Sequence, residues 1–217
     1  GPHTPVGRKG LTKLAFVSWN VARSCGTHLH QVIHCARTPQ AHTALLALCL
    51  TEPGGHGTLD TEVVGLHCFR PNPPDRPPGR SEVALLLDKR LGATQLLDLG
   101  LDGRCIVACS VPAKPKPLAI IAAYVPNWYT AQRKKPLADP DTKLPHRQEV
   151  WEQLHAAVES LQHTHMMVVM GDLNCHPGDS GVQCWGQEAW VNETGVSEPN
   201  EDVQELDRLC QVAGLSP

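Results

Sequence analysis

Apolar and polar positions fall along this chain in short blocks, and the period of each block predicts an element. "LAFVSWNV" (14–21) alternates and is rich in β-formers, which predicts a first strand. "THLHQVIHCAR" (27–37) sets Leu29, Val32, Ile33 and Ala36 on one helical face, with Thr27 as its N-cap and Pro39 just beyond. "TALLALCLTE" (43–52) fits either period, but its end reads as a buried strand delivering Glu52 into "PGGHG". After "VVGLHCF" and the proline-rich loop "RPNPPDRPPGR", "EVALLLD" (82–88) reads as a strand. "CIVACSV" (105–111) and "LAIIAAYVP" (118–126) follow, split by "PAKPKP", which resembles a hairpin connection. "PHRQEVWEQLHAAVESLQ" (145–162) is amphipathic, with Val150, Trp151, Leu154, Val158 and Leu161 on one side. "MMVVMGDLN" (166–174) is another strand, and "NEDVQELDRLCQVAG" (200–214) a last helix with Asn200 as cap and Gly214 as terminator. Runs of strands interrupted by single helices predict an α+β domain with packed sheets rather than a doubly wound parallel sheet.

Size agrees with one such domain. The 217 residues, 41% hydrophobic, can bury a substantial core. Residues 1–12 carry no apolar block and read as a disordered leader or tag remnant, so the domain is expected over 13–217. No apolar run approaches the roughly 20 residues of a membrane-spanning helix. Nine cysteines, an odd number without a CxxC pair, suit free thiols in a reducing compartment better than a disulfide framework. A net charge of -3 gives no global pull towards nucleic acid. Basic character is local, at Arg133, Lys134 and Lys135 and at Arg76 and Arg80, where short charged turns are more often simply solvated. His30 and His34 stand four apart on the polar side of a helix, with no partner pair at zinc-finger spacing, and read as surface histidines.

The ends of the strands carry the candidate chemistry. The first ends in Asn20, the next delivers Glu52, "AAYVP" carries Tyr124, and the late strand ends in Asp172 and Asn174. Each has a bland reading: Asn and Asp begin turns, and a tyrosine can plug a sheet end with its hydroxyl in water. Taken together, several strand ends converge at one rim. Carboxylate and amide oxygens in company suit a hard cation such as Mg²⁺, which keeps several waters and is shared with phosphate. Asp172 and Asn174, two apart, are expected on the same side of the strand end.

"VSWNV", "LCLTE", "AAYVPN" and "VVMGDLNCHP", in that order, resemble the endonuclease/exonuclease/phosphatase superfamily of metal-dependent phosphodiesterases. "YVPNW", the helix before "GDLN" and the tail resemble the endonuclease domains of LINE-type retrotransposons in particular. The resemblance implies a four-layer α/β sandwich, two packed sheets with helices outside. It implies Mg²⁺ (or Mn²⁺) as cofactor, held by Glu52 with Asn20 and Asp172. Asp172 would deprotonate the attacking water, Asn174 would steady phosphate and water, and Tyr124 would approach the scissile phosphate. Arg80, Trp128, Arg133 and Lys134 are the candidate contacts to double-stranded DNA. A reverse transcriptase downstream on the same polypeptide and a nuclear location are implied as well, and no membrane. Other branches would instead act on apurinic sites, RNA tails or phosphoinositides, and a catalytically dead binding remnant is the reading from a different class. The chain departs from the pattern at Thr51, where glutamine is usual, at Ala22, Glu82 and Leu173, and in having no late Ser-Asp-His-like segment. The last strands of the sandwich are therefore expected to be missing.

Overall fold

The computed structural model describes residues 13–21, 25–37, 44–53, 62–71, 81–99, 101, 104–126, 147–175 and 203–213. Two sheets lie face to face between helices. The first is built from β1 (Lys13–Asn20), β2 (Ala44–Thr51), β3 (Glu62–Val63), β4 (Leu66–Phe69) and β5 (Val83–Asp88), in the order β1-β2-β5-β4-β3. The second holds β6 (Thr94–Gln95), β7 (Ile106–Val111), β8 (Leu118–Tyr124) and β9 (Met166–Asp172), in that order. One pair in each sheet is parallel, β1 with β2 and β8 with β9. A parallel pair needs a crossover, and helices α1 (Cys25–Arg37) and α2 (Arg147–Leu161) lie in those two connections. A third helix, α3 (Val203–Ala213), packs against α2.

Alternation along the strands decides what each face meets. In β2 and β5, Leu46, Leu48, Leu50, Ala84 and Leu86 point away from the second sheet and bury Ile33 and Ala36 of α1. The intervening Ala47, Cys49, Val83, Leu85 and Leu87 face the second sheet and share its core. The far face of that sheet takes Val150, Trp151, Leu154 and Val158 of α2 and Leu209 of α3. Helix, sheet, sheet, helices: the order makes four layers. All six residues of β5 are buried because both its faces are covered. Each fully buried leucine contributes about 1.5–3 kcal/mol.

The elements agree with the sequence pattern at most points; one expected cap is displaced, and two short features carry no signal in it. Residue 27 lies inside α1, which begins at Cys25, so Thr27 is not its cap. "VVGLHCF", to which the pattern assigns no element, turns at Val64 and Gly65, both at positive φ, within the β3–β4 hairpin. The short β6 carries too few residues for a period to announce it. The hairpin expected around "PAKPKP" is present as β7–β8, with Val111 opposite Leu118. Asn200 and Gly214 lie outside the described residues.

Candidate active site

Parallel pairing makes the rim. In the first sheet Asn20 stands in register with Thr51, and in the second Tyr124 with Asp172, so each parallel pair ends level. Contacts of β1 with β9 and of β2 with β8 bring the two level ends together. Four strand ends from distant parts of the chain therefore meet at one pole.

Two side-chain-to-side-chain hydrogen bonds join the sheets there. Asn20 Nδ2 donates to Asp172 Oδ2 at 2.9 Å, linking the outer strands β1 and β9. Tyr124 Oη donates to Glu52 Oε1 at 2.5 Å, linking the inner strands β8 and β2. Glu52 is held by its backbone N–H on Glu82 O, 2.8 Å, and sits at φ 49, where a residue with a Cβ is uncommon. Such strain persists where the surroundings over-determine it, and it gathers at functional sites.

The Asp172–Asn174 pair meets in a way that strand alternation does not anticipate. β9 stops at Asp172, and Asn174 turns into the left-handed region at φ 46. Its backbone N–H donates to Asp172 Oδ1 at 3.0 Å, the Asx turn that Asp favours. Its Nδ2 donates to Val125 O at 2.7 Å, and Val125 N–H returns to Asp172 O at 2.9 Å. The turn-forming reading of Asp172 and the functional one are thus the same geometry. Both oxygens of the carboxylate are fixed by N–H donors.

Gly171 sets the height of that carboxylate. At φ 139 it lets β9 approach β8 so closely that a Cβ there would lie 1.9 Å from Ala123 O. Across the sheets, Ser18 Oγ donates to Gly171 O at 3.2 Å. Only glycine fits.

Burial, and after it the Glu52 carboxylate, pushes the Tyr124 phenol far above its ordinary value. Glu82 and Asp172 add to the same effect. Tyr124 is thus an O–H donor at any physiological pH. Cys49, beneath the rim, is pushed up to about 12 by burial, against the pull of its hydrogen bond to Ser18, so it is no nucleophile.

The donor set can be tested against a bound ion. Glu52, Asp172, Asn20 and Asn174 offer carboxylate and amide oxygens, the hard ligands of Mg²⁺, which needs only one or two carboxylates beside its waters. Each carboxylate oxygen has two lone pairs, so the hydrogen bonds to Tyr124, Asn20 and Asn174 leave acceptor capacity. Thr51, next to Glu52 and in register with Asn20, buries a hydroxyl that has no hydrogen-bond partner. The rim so holds polar capacity that the fold does not use. Among the described residues no cluster of three His, Cys, Asp or Glu stands together, so amide oxygens and waters would complete the shell. The residues fit Mg²⁺.

Five of the expected site residues, Asn20, Glu52, Tyr124, Asp172 and Asn174, come together. Arg80, Trp128, Arg133 and Lys134 lie outside the described residues. His30 and His34 are exposed on α1. Two residues at the rim escaped the sequence reading. Ser18 is two before Asn20 on a strand, hence on its face. Arg147, only 4% exposed, lies three and four residues before Val150 and Trp151, on the buried stripe of α2.

A sequence model of the Endonuclease/Exonuclease/phosphatase family matches residues 17–188. The chain belongs to that family. Its members are phosphodiesterase hydrolases, and the matched span carries all five rim residues. Among solved structures, the endonuclease domain of TRAS1, a telomere-specific non-LTR retrotransposon, has the same fold. It superposes with a TM-score of 0.53 at 15% identity, over 91% of this chain and 70% of that one. A humanized D. rerio TDP2 carrying 14 mutations superposes more loosely, with a TM-score of 0.44 at 14% identity over 74% of this chain and 62% of that one. No curated protein matches the chain by sequence.

Proposed function

We propose that this chain is a metal-dependent DNA endonuclease, the target-nicking domain of a LINE-type retroelement. One observation carries the reading: the Asp172 carboxylate is oriented by Asn20 from the opposite sheet and by the Asn174 N–H, beside Glu52. A fixed acceptor at an exposed rim is what general-base activation of water requires. The fold shared with the TRAS1 endonuclease domain supports the retroelement branch.

Asp172 takes a proton from water as the water oxygen bonds to phosphorus. The bond from phosphorus to the 3′-oxygen breaks, that oxygen takes a proton from solvent water, and the products are a 3′-hydroxyl and a 5′-phosphate. A reverse transcriptase downstream on the same polypeptide would prime from that 3′-hydroxyl. Glu52, with Asn20 and Asp172, would hold Mg²⁺, which supplies charge stabilisation to the phosphorane-like transition state. Asn174 steadies the phosphate, and Tyr124 keeps Glu52 in place through its O–H. Arg80, Trp128, Arg133 and Lys134 are proposed to contact double-stranded DNA. The free thiols of Cys35, Cys49, Cys68, Cys105, Cys109, Cys175 and Cys210 suit a reducing, nuclear location.

The test is nicking of supercoiled plasmid with Mg²⁺, with EDTA, and beside a soluble phosphoinositide head group and a polyadenylated RNA. Open circles bearing 3′-hydroxyl ends, formed only with the metal, are expected. Turnover of head group or RNA while plasmid stays intact would overturn the DNA reading. No turnover of any of them would overturn the enzymatic one.

A further inference from the structure

Arg147 is the residue of this region whose chemistry its position does not require. It opens α2 on the stripe that buries Val150, Trp151 and Leu154, a place where an apolar side chain would pack without desolvating a charge. Burying a guanidinium costs several kcal/mol unless its N–H groups are matched. Two of its partners lie in the loops above the rim. Nη1 donates to Pro126 O, just past β8, and Nη2 donates to Asn174 O at 3.2 Å, just past β9.

Those two carbonyls cannot bond to each other, since both only accept. A planar fork of donors between them ties the loop after β8 to the loop after β9. Asn174 Nδ2 closes the ring from the other side, on Val125 O at 2.7 Å. The ring encloses the residue at φ 46 whose backbone N–H fixes Asp172 Oδ1. Burial lowers the affinity of the guanidinium for its proton, and the nearby Cys175, Tyr124 and Asp172 act in the opposite sense.

We infer that Arg147 is a positioning residue: its two-pronged donation to Pro126 O and Asn174 O holds Asn174, and through it Asp172, in the geometry that reaction at the rim requires. The inference rests on the phosphodiesterase reading for its consequence but not for its structural content. A misplacement of about 1 Å at a reacting group costs about 10²-fold in rate.

Arg147→Lys and Arg147→Met are compared with the parent chain, in nicking kinetics and in hydrogen exchange of the Asn174 amide. Expected is a fall in kcat of about 10²-fold in both variants with KM little changed. Lysine should fail because one ammonium cannot span both carbonyls. Guanidinium ion, well below denaturing concentration, should restore part of kcat to Arg147→Ala, and methylammonium should not. Full activity in Arg147→Lys would overturn the fork. A raised KM at unchanged kcat would make Arg147 a substrate contact and overturn positioning. Loss of cooperative melting in all variants would make it a core residue only, with the same result. If the parent chain cuts nothing, the functional reading fails and exchange alone decides: faster exchange at Asn174 upholds the inference, unchanged exchange sinks it.

Discussion

The two side-chain pairs that join the sheets at the rim, Glu52 with Tyr124 and Asn20 with Asp172, sit on unlike strands. Glu52···Tyr124 lies at the ends of β2 and β8, interior strands whose residues are almost all buried, and Tyr124 itself is only 2% exposed. Asn20···Asp172 lies at the ends of β1 and β9, the outer strands of their sheets, where only Ala15 is buried. The inner bond belongs to the packing, with its proton locked on the phenol. The outer bond holds a carboxylate that water and substrate can reach. The fold is thus held together by the interior strands, and the chemistry is offered by the outer ones.

That contrast breaks first at Gly171, where both demands meet. Gly171→Ala should lose roughly 3 kcal/mol or more, from the contact with Ala123 O and the positive φ together, measured as a shift in the urea midpoint. Next come Ile120 and Val168, register partners on β8 and β9. Ile120→Ala should cost about 3 kcal/mol, and Val168→Ala, on the half-exposed outer strand, about 1 kcal/mol. Equal costs would remove the distinction between interior and outer strands.

The bonds themselves should differ in the same direction. Tyr124→Phe removes a partly buried donation to a carboxylate and should cost about 1–2 kcal/mol, whereas Asn20→Ala should stay within about 0.5 kcal/mol. The smallest effect is on pH dependence. Tyr124 is raised from 10.0, and Cys49 and Cys105 from 9.0 to about 12. Raised values mean that the native chain keeps protons the unfolded chain has released. Their stabilisation is complete below about pH 9 and is lost as pH rises further. The urea midpoint should therefore be flat near neutrality and fall on the alkaline side, less steeply above about pH 10 in Tyr124→Phe.

Much of this was legible in the chain's pattern because β2, β8 and β9 are apolar runs, and polar residues mark their ends. Glu52, Tyr124 and Asp172 stand out for that reason. Asn174 meets Asp172 through an Asx turn, not through the strand alternation expected of the pair. Thr27 misled because α1 begins two residues earlier. Arg147 was hidden because an arginine on a helix is ordinarily solvated. Its position on the apolar stripe was the signal, and the partners that justify burial, Pro126 O and Asn174 O, come from segments 21 and 27 residues away. Ser18 was passed over for a like reason: its partner, Gly171 O, is 153 residues distant.

The most direct test of the account is Asp172→Asn, in which Asn20 can turn its amide to keep the cross-sheet bond. Nicking of supercoiled plasmid and the melting temperature are read on one preparation. Expected is a rate lowered about 10³-fold with the melting temperature moved by no more than about 2 °C. Nicking at the parent rate would contradict it, because the carboxylate at the end of β9 would then not be the group that activates water.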